Sequence, residues 1–244
     1  MKHLIILFTF SILSVNICQG QQNFFNVVSS DITPNHKLFF QQQLNFIQNS
    51  VQSNTTLSYG LGHNFEIGVN YFGLNFNRLD NYNLEKVASE APYNYFGMIN
   101  LQKRFDVNDQ FGFSIGLQQG ITTTSNIHFG GNYYSNFIYK NNSLGLKCIG
   151  GFYYAMNSLY GEGDRFFNKG IGIQAGFEKS IIKDKWTFQT DFISGKHSLG
   201  EMVIGTAFYA TKKWVLSFGY QIPNIQSQSQ KGFVFELTFI PSEN

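Results

Sequence analysis

Beyond residue 50 the chain alternates apolar positions with polar or glycine positions. Val51, Ser53, Thr55, Leu57, Tyr59 and Leu61 stand against Gln52, Asn54, Thr56, Ser58, Gly60 and Gly62. Phe111, Phe113, Ile115 and Leu117 stand against Gly112, Ser114, Gly116 and Gln118. The same beat runs through Ile171–Glu178, Trp186–Phe192 and Phe233–Phe239. A period of two is the signature of strands with two unlike faces, and no comparably long stretch keeps the helical spacing. About twelve strands follow, near 37–48, 51–62, 64–76, 93–105, 110–122, 132–140, 143–156, 169–182, 185–194, 201–211, 213–222 and 231–240. Most are about twice the usual five or six residues of a soluble strand. An apolar band about 25 Å tall, crossed at a tilt near 40°, takes about ten residues.

The connections sort into two kinds. Gly62-His63-Asn64, Asp106 to Asp109, Asn141-Asn142, Lys183-Asp184-Lys185 and Thr211-Lys212-Lys213 are short polar turns. Between them lie longer stretches at 77–92, 123–131, 157–168, 195–200 and 223–230. Short periplasmic turns opposite longer external loops are the asymmetry of an antiparallel up-and-down transmembrane β-barrel, and an even strand count returns both ends of the barrel to one side. Aromatics just inside the short turns (Phe65, Phe105, Phe111, Trp186, Trp214) fit an interfacial girdle. Lys103 and Lys179 fall on the apolar face near strand ends, where a long side chain reaches water. A soluble β-sandwich would share the alternation, but its edges usually carry charge or Pro, and here Pro is scarce.

Composition narrows the choice. Charged residues make up 13% and aromatics 17%, which excludes a disordered chain and a coiled coil. No basic stripe exists to pair with phosphates, so no nucleic acid is expected as partner. Lys2, the apolar stretch Leu4 to Val15 and the small residues of Cys18-Gln19-Gly20 read as a cleaved signal peptide over 1–20. Cys148 is then the one thiol of the mature chain and reads as a small lipid-facing residue. Residues 21–36 are too short for a plug domain and are expected as a periplasmic tail or a strand-like piece tucked into the lumen, and 37–244 as the barrel.

Two hairpins carry a resemblance. Tyr59 to Val69 resembles a strand–turn–strand of bacterial outer-membrane β-barrel channels, and is similar to the family named for the meta-cleavage pathway of phenol degradation. Gly205 to Gly219, turning at Thr211-Lys212-Lys213, resembles a later hairpin of that family. The resemblance implies the architecture and names no solute. Many such barrels end on an aromatic residue, whereas here Phe239 is followed by Ile240-Pro241-Ser242-Glu243-Asn244.

The inward face is expected to line the lumen with Glu66, Asn70, Asn100, Gln102, Arg104, Gln118, Lys147, Gln174, Glu178, Gln189, Asp191 and Glu236. Amides mix there with both signs of charge, and no ring of like charge marks an ion-selective pore. The reading is a porin-like passive channel for small solutes in the outer membrane of a Gram-negative bacterium, in contact with its lipid and gated at most by 77–92 and 157–168. A structural or adhesive barrel with a filled lumen is the alternative. His197, Ser198 and Glu201 have the residue types of a hydrolytic triad and resemble those of lipid A deacylase barrels. Adjacent His and Ser would point oppositely on an extended strand, so a lipid-modifying hydrolase is the lesser alternative and no catalysis is expected. No metal or other cofactor is expected: His36, His63, His128 and His197 lack ligand spacing and read as turn and loop residues. Tyr82, Tyr93, Tyr133, Tyr134 and Tyr160 read as an upper aromatic girdle, with sugar stacking as the other possibility.

Overall fold

A computed structural model describes residues 24–79, 81–168 and 170–241; the signal peptide lies outside the described residues. The strands are β1 (Leu38–Ile47), β2 (Ser50–Gly62), β3 (Phe65–Asn77), β4 (Asn83–Leu84), β5 (Phe96–Asp106), β6 (Phe111–Thr122) and β7 (Phe129–Asn141). They continue with β8 (Leu146–Ala155), β9 (Ile171–Ile182), β10 (Trp186–Ile193), β11 (Glu201–Tyr209), β12 (Trp214–Pro223) and β13 (Gly232–Phe239). One short helix, α1 (Asn157–Tyr160), sits in an external loop. Every stave pairs antiparallel with its neighbour, and β1 closes on β13 from Phe40↔Phe239 to Ile47↔Gly232. β4 only extends the outer end of β3 through Phe76↔Leu84 and Asn77↔Asn83. The result is a closed barrel of twelve antiparallel strands.

Local chemistry places the turns. His63 (φ 51°) and Asn64 (φ 56°) both take left-handed backbone, the condition for the tight hairpin whose twist matches the strands it joins. After β7 the turn is longer than the alternation suggests. Asn141 accepts from Ser143 Oγ and the Leu144 N–H, and Gly145 takes φ 56°, so β8 begins only at Leu146. β7 itself starts three residues earlier than expected, at Phe129 rather than 132. Gly130 and Gly131 hide the alternation there, but the pairings Phe129↔Ile121 and Gly130↔Gly120 hold the strand in place.

The two faces are inverted relative to a soluble protein. Large apolar side chains such as Val69, Ile99, Phe137, Phe152, Phe218 and Phe233 are exposed on the outside. Amides and charges are buried on the inside. Trp186 and Trp214 sit at the end of the short turns, half out of the protein surface. Lys103 and Lys179 donate to the carbonyls of His63 and Leu144 at the same end, which keeps both ammonium groups out of the apolar belt. Among the described residues no helix is long and apolar enough to cross a membrane; the spans are strands.

Candidate functional site

The lumen is occupied by the chain's own N-terminal segment. Residues 24–36 run inside the barrel as bends and irregular backbone rather than as a strand, and a parallel bridge pairs Asn35 with Gly60 near the short-turn end. Phe24, Phe25, Val27, Ser29 and Ser30 are at most 1% exposed. Inward glycines make the room. A Cβ on Gly176 would come within 2.5 Å of the Phe24 ring, and one on Gly219 within 2.8 Å of the Phe25 ring. The inward glycines of the alternation are therefore a groove on the wall and not just small fillers.

Two carboxylates hold this plug. In the first anchor Asp191, on β10, accepts three successive backbone N–H groups through Oδ2: Phe25 at 3.0 Å, Asn26 at 2.6 Å and Val27 at 2.8 Å. Asn26 Nδ2 also donates to Glu201 Oε1 at 2.6 Å. In the second anchor the plug supplies the charge. Asp31 pairs with Lys140 and with Lys147 (2.9 Å), and Arg104 lies 3.6 Å away. Burial would raise the Asp31 carboxyl, but Lys140 and Lys147 outweigh it and hold the group well below the usual carboxylate range. Between the anchors Ser114 Oγ donates to Ser30 Oγ at 2.6 Å, and Asn136 Nδ2 reaches the Val28 carbonyl and Ser30 Oγ, each at 3.2 Å. The Thr33 N–H donates to Glu66 Oε2 at 2.8 Å.

Of the residues expected on the inward face, all but Arg104 and Gln118 are buried. Glu66, Arg104, Lys147 and Asp191 bind the plug directly. Glu178 pairs with Lys147, and Gln174 donates to Asn136 Oδ1 at 2.8 Å. Asn100 donates to Asn70 at 2.9 Å, and Gln102 accepts from Tyr134 at 2.8 Å. Gln118 joins Glu66, Asn100, Gln102 and Tyr134 around a cavity of about 10 Å³, room for about one water. Gln189 and Glu236 are fully buried. Lys140, Asp31, Ser114 and Asn136 are functional contacts that the sequence reading passed over. Lys140 shares its parity with Asn136 and Ile138, so the alternation carried a signal for it; Asp31 lies in a segment with no period at all.

The external mouth is sealed as well. Arg165 is 2% exposed and donates to the carbonyls of Gly161 (3.0 Å) and Gly163 and to Asn157 Oδ1 (3.1 Å). Ser227 Oγ donates to the His197 carbonyl at 2.9 Å, which ties 223–230 to 195–200. The seal is thus made by 157–168 with 195–200 and 223–230, while Leu79, Tyr82 and Leu84 of 77–92 are exposed.

His197 corrects its reading as an ordinary loop residue. It is fully buried, stacks on Tyr160 at 5.1 Å and contacts Tyr153 Oη at 2.6 Å. Its Nδ1 accepts the Leu199 N–H at 3.2 Å, so Nε2 carries the proton of the neutral ring. Burial, with Arg165 adding to it, lowers its pKa to about 3. Ser198 Oγ donates instead to the Tyr160 carbonyl at 2.9 Å, and Glu201 binds Asn26 and Ser229, so each member of the proposed triad has its own separate partners. Tyr134 and Tyr160 likewise point inward and are buried rather than belonging to a girdle. His128 stacks on Tyr93 at 3.7 Å, and His36 meets Tyr59 Oη at 2.9 Å.

No protein-family model matches the chain, and no curated protein matches it. The resemblance to the phenol-degradation family therefore finds no support. Solved structures do match. The KdgM porin, solved in complex with disordered oligogalacturonate, has TM-score 0.56 at 9% identity over 84% of this chain and 99% of its own. The NanC porin gives TM-score 0.56 at 9% identity, over 84% of this chain and 100% of its own. Outer membrane phospholipase A from Escherichia coli gives TM-score 0.50 at 11% identity, over 93% and 96%. At these identities the likeness is one of fold, a closed antiparallel β-barrel, and the exposed apolar belt agrees with an outer-membrane location.

Proposed function

We propose that the protein is a porin-like outer-membrane passage for small solutes, held shut in this structure by residues 24–36. The observation that carries the reading is what fills the lumen. A barrel built only as a scaffold packs its interior with side chains of its own wall. Here the wall is hollowed by Gly176, Gly205 and Gly219, and a separate segment fills the hollow with the rings of Phe24 and Phe25 and is latched by hydrogen bonds and ion pairs. Such contacts can be exchanged for water or solute, so the plug can leave while twelve staves remain closed. Arg165 and the interlocked external loops favour a second reading, a permanently filled structural barrel. A lipid-modifying hydrolase has less support, because His197 and Ser198 face different partners.

Conductance separates these readings. The refolded mature chain, with folding shown by heat-dependent gel mobility, should give rare brief steps in a planar bilayer. Asp191→Ala should give frequent, long ones. Silence from both folded proteins overturns the passage.

A further inference from the structure

We propose that Arg104, Lys140 and Lys147 form a binding site for small polycarboxylate anions, of which Asp31 is the resident occupant. The proposal deepens the passage reading by assigning that lumen a ligand. The cluster lies at the short-turn end of one side of the barrel: Arg104 on β5, Lys140 on β7 and Lys147 on β8, with β6 between β5 and β7. Its three cations face Asp31, Glu178 and Asp106, the last bound to Arg104 Nε at 2.6 Å. Among the described residues these three cations and three carboxylates balance with the plug in place, and the departure of Asp31 removes one of the negative charges. A buried charge in excess is costly, and an anion removes that cost.

Two further observations point to a ligand. A cavity of about 60 Å³ lies beside Lys140, Lys147 and Glu178, between Asn142, Thr187 and Tyr209, so space adjoins the cluster with the plug seated. Gln189, opposite Glu178 on the next stave, is fully buried, and neither end of its amide has a hydrogen-bond partner among the described residues. Its N–H groups are unused donors facing the same lumen.

The tether sets which anions can compete. A carboxylate on a short linker acts at an effective concentration of about millimolar or more. A single free carboxylate at low concentration loses to Asp31, whereas a solute with two or three carboxylates engages several of the cations at once. Citrate is the probe. Calorimetric titration into the refolded Asp31→Asn barrel should show binding at least tenfold tighter than to the natural chain. Asp31→Asn/Lys147→Gln should lose it by at least tenfold, and glucose should not bind. Equal affinity in Asp31→Asn and natural chain, indifference to Lys147→Gln, or no citrate binding to folded Asp31→Asn would overturn the site. If Asp31→Asn fails to fold, the natural chain decides: citrate, but not sodium chloride of equal ionic strength, should expose residues 24–36 to protease, and unchanged protection overturns the proposal. Conductance is read separately, so a silent barrel that binds citrate sinks the passage and leaves the site, and an open barrel without binding does the reverse.

Discussion

The two anchors of the plug have opposite polarity. At Asp191 the wall supplies the carboxylate and the plug supplies only backbone, three N–H groups of residues 25–27. At Asp31 the plug supplies the carboxylate and the wall supplies side-chain cations. The first grip reads the backbone of the plug, with Asn26 bound to Glu201 beside it; the second reads one charged side chain. Asp191 of the first anchor is buried, whereas in the second Lys140 keeps about a fifth of its side chain exposed. Salt and competing ions therefore reach the second anchor and spare the first. A plug held in this way can be unlatched at one end by solute while the other end keeps its register.

The comparison is broken most strongly at Asp191. Asp191→Ala leaves three buried N–H groups without an acceptor, each costing about 1–3 kcal/mol. The plug should leave, and protease should cut within residues 24–36 of a barrel still heat-modifiable on gels; full protection would show that the anchor is dispensable. A smaller effect is expected at Gly176. The three atoms nearest a methyl group there all belong to the Phe24 ring, the first at 2.5 Å, so Gly176→Ala should weaken the plug by about 1–3 kcal/mol. Phe24→Ala in the same chain should restore protection; failure of that rescue would place the clash elsewhere.

The smallest effect is acid and falls on the external seal, apart from both anchors. His197 is held neutral with its pKa lowered to about 3, against about 6.5 in an unfolded chain. Its contribution to the sealed state is complete above pH 6.5 and declines as pH falls towards 3, because the open form binds the proton first. Nicking of 194–200 by protease should rise on acidification from pH 7 to 5. His197→Gln should lack that pH dependence. Asp31, held far below its ordinary range, stays charged over the same interval, so its anchor should not respond.

The sequence by itself determined the barrel. Alternation of period two, strands of membrane length and turns such as His63-Asn64 are local properties, and each is written into neighbouring residues. The parity of Glu66, Lys147 and Asp191 followed from the same beat. Only the tertiary structure decided what those side chains do. Asp191 meets the plug 164 to 166 residues away, and Asp31 meets Lys140 across 109. Residues 24–36 have no period, and bends carry no signal of the surface they will fit. Glycine at 176 or 219 looks like a weak strand position until the barrel closes and an aromatic ring fills the space. His197 reads as a polar loop residue until Arg165, Tyr153 and Tyr160 close over it. Strand pairing is a nearest-neighbour property, but the contents of a lumen depend on all twelve staves at once, and on a segment that is not a stave.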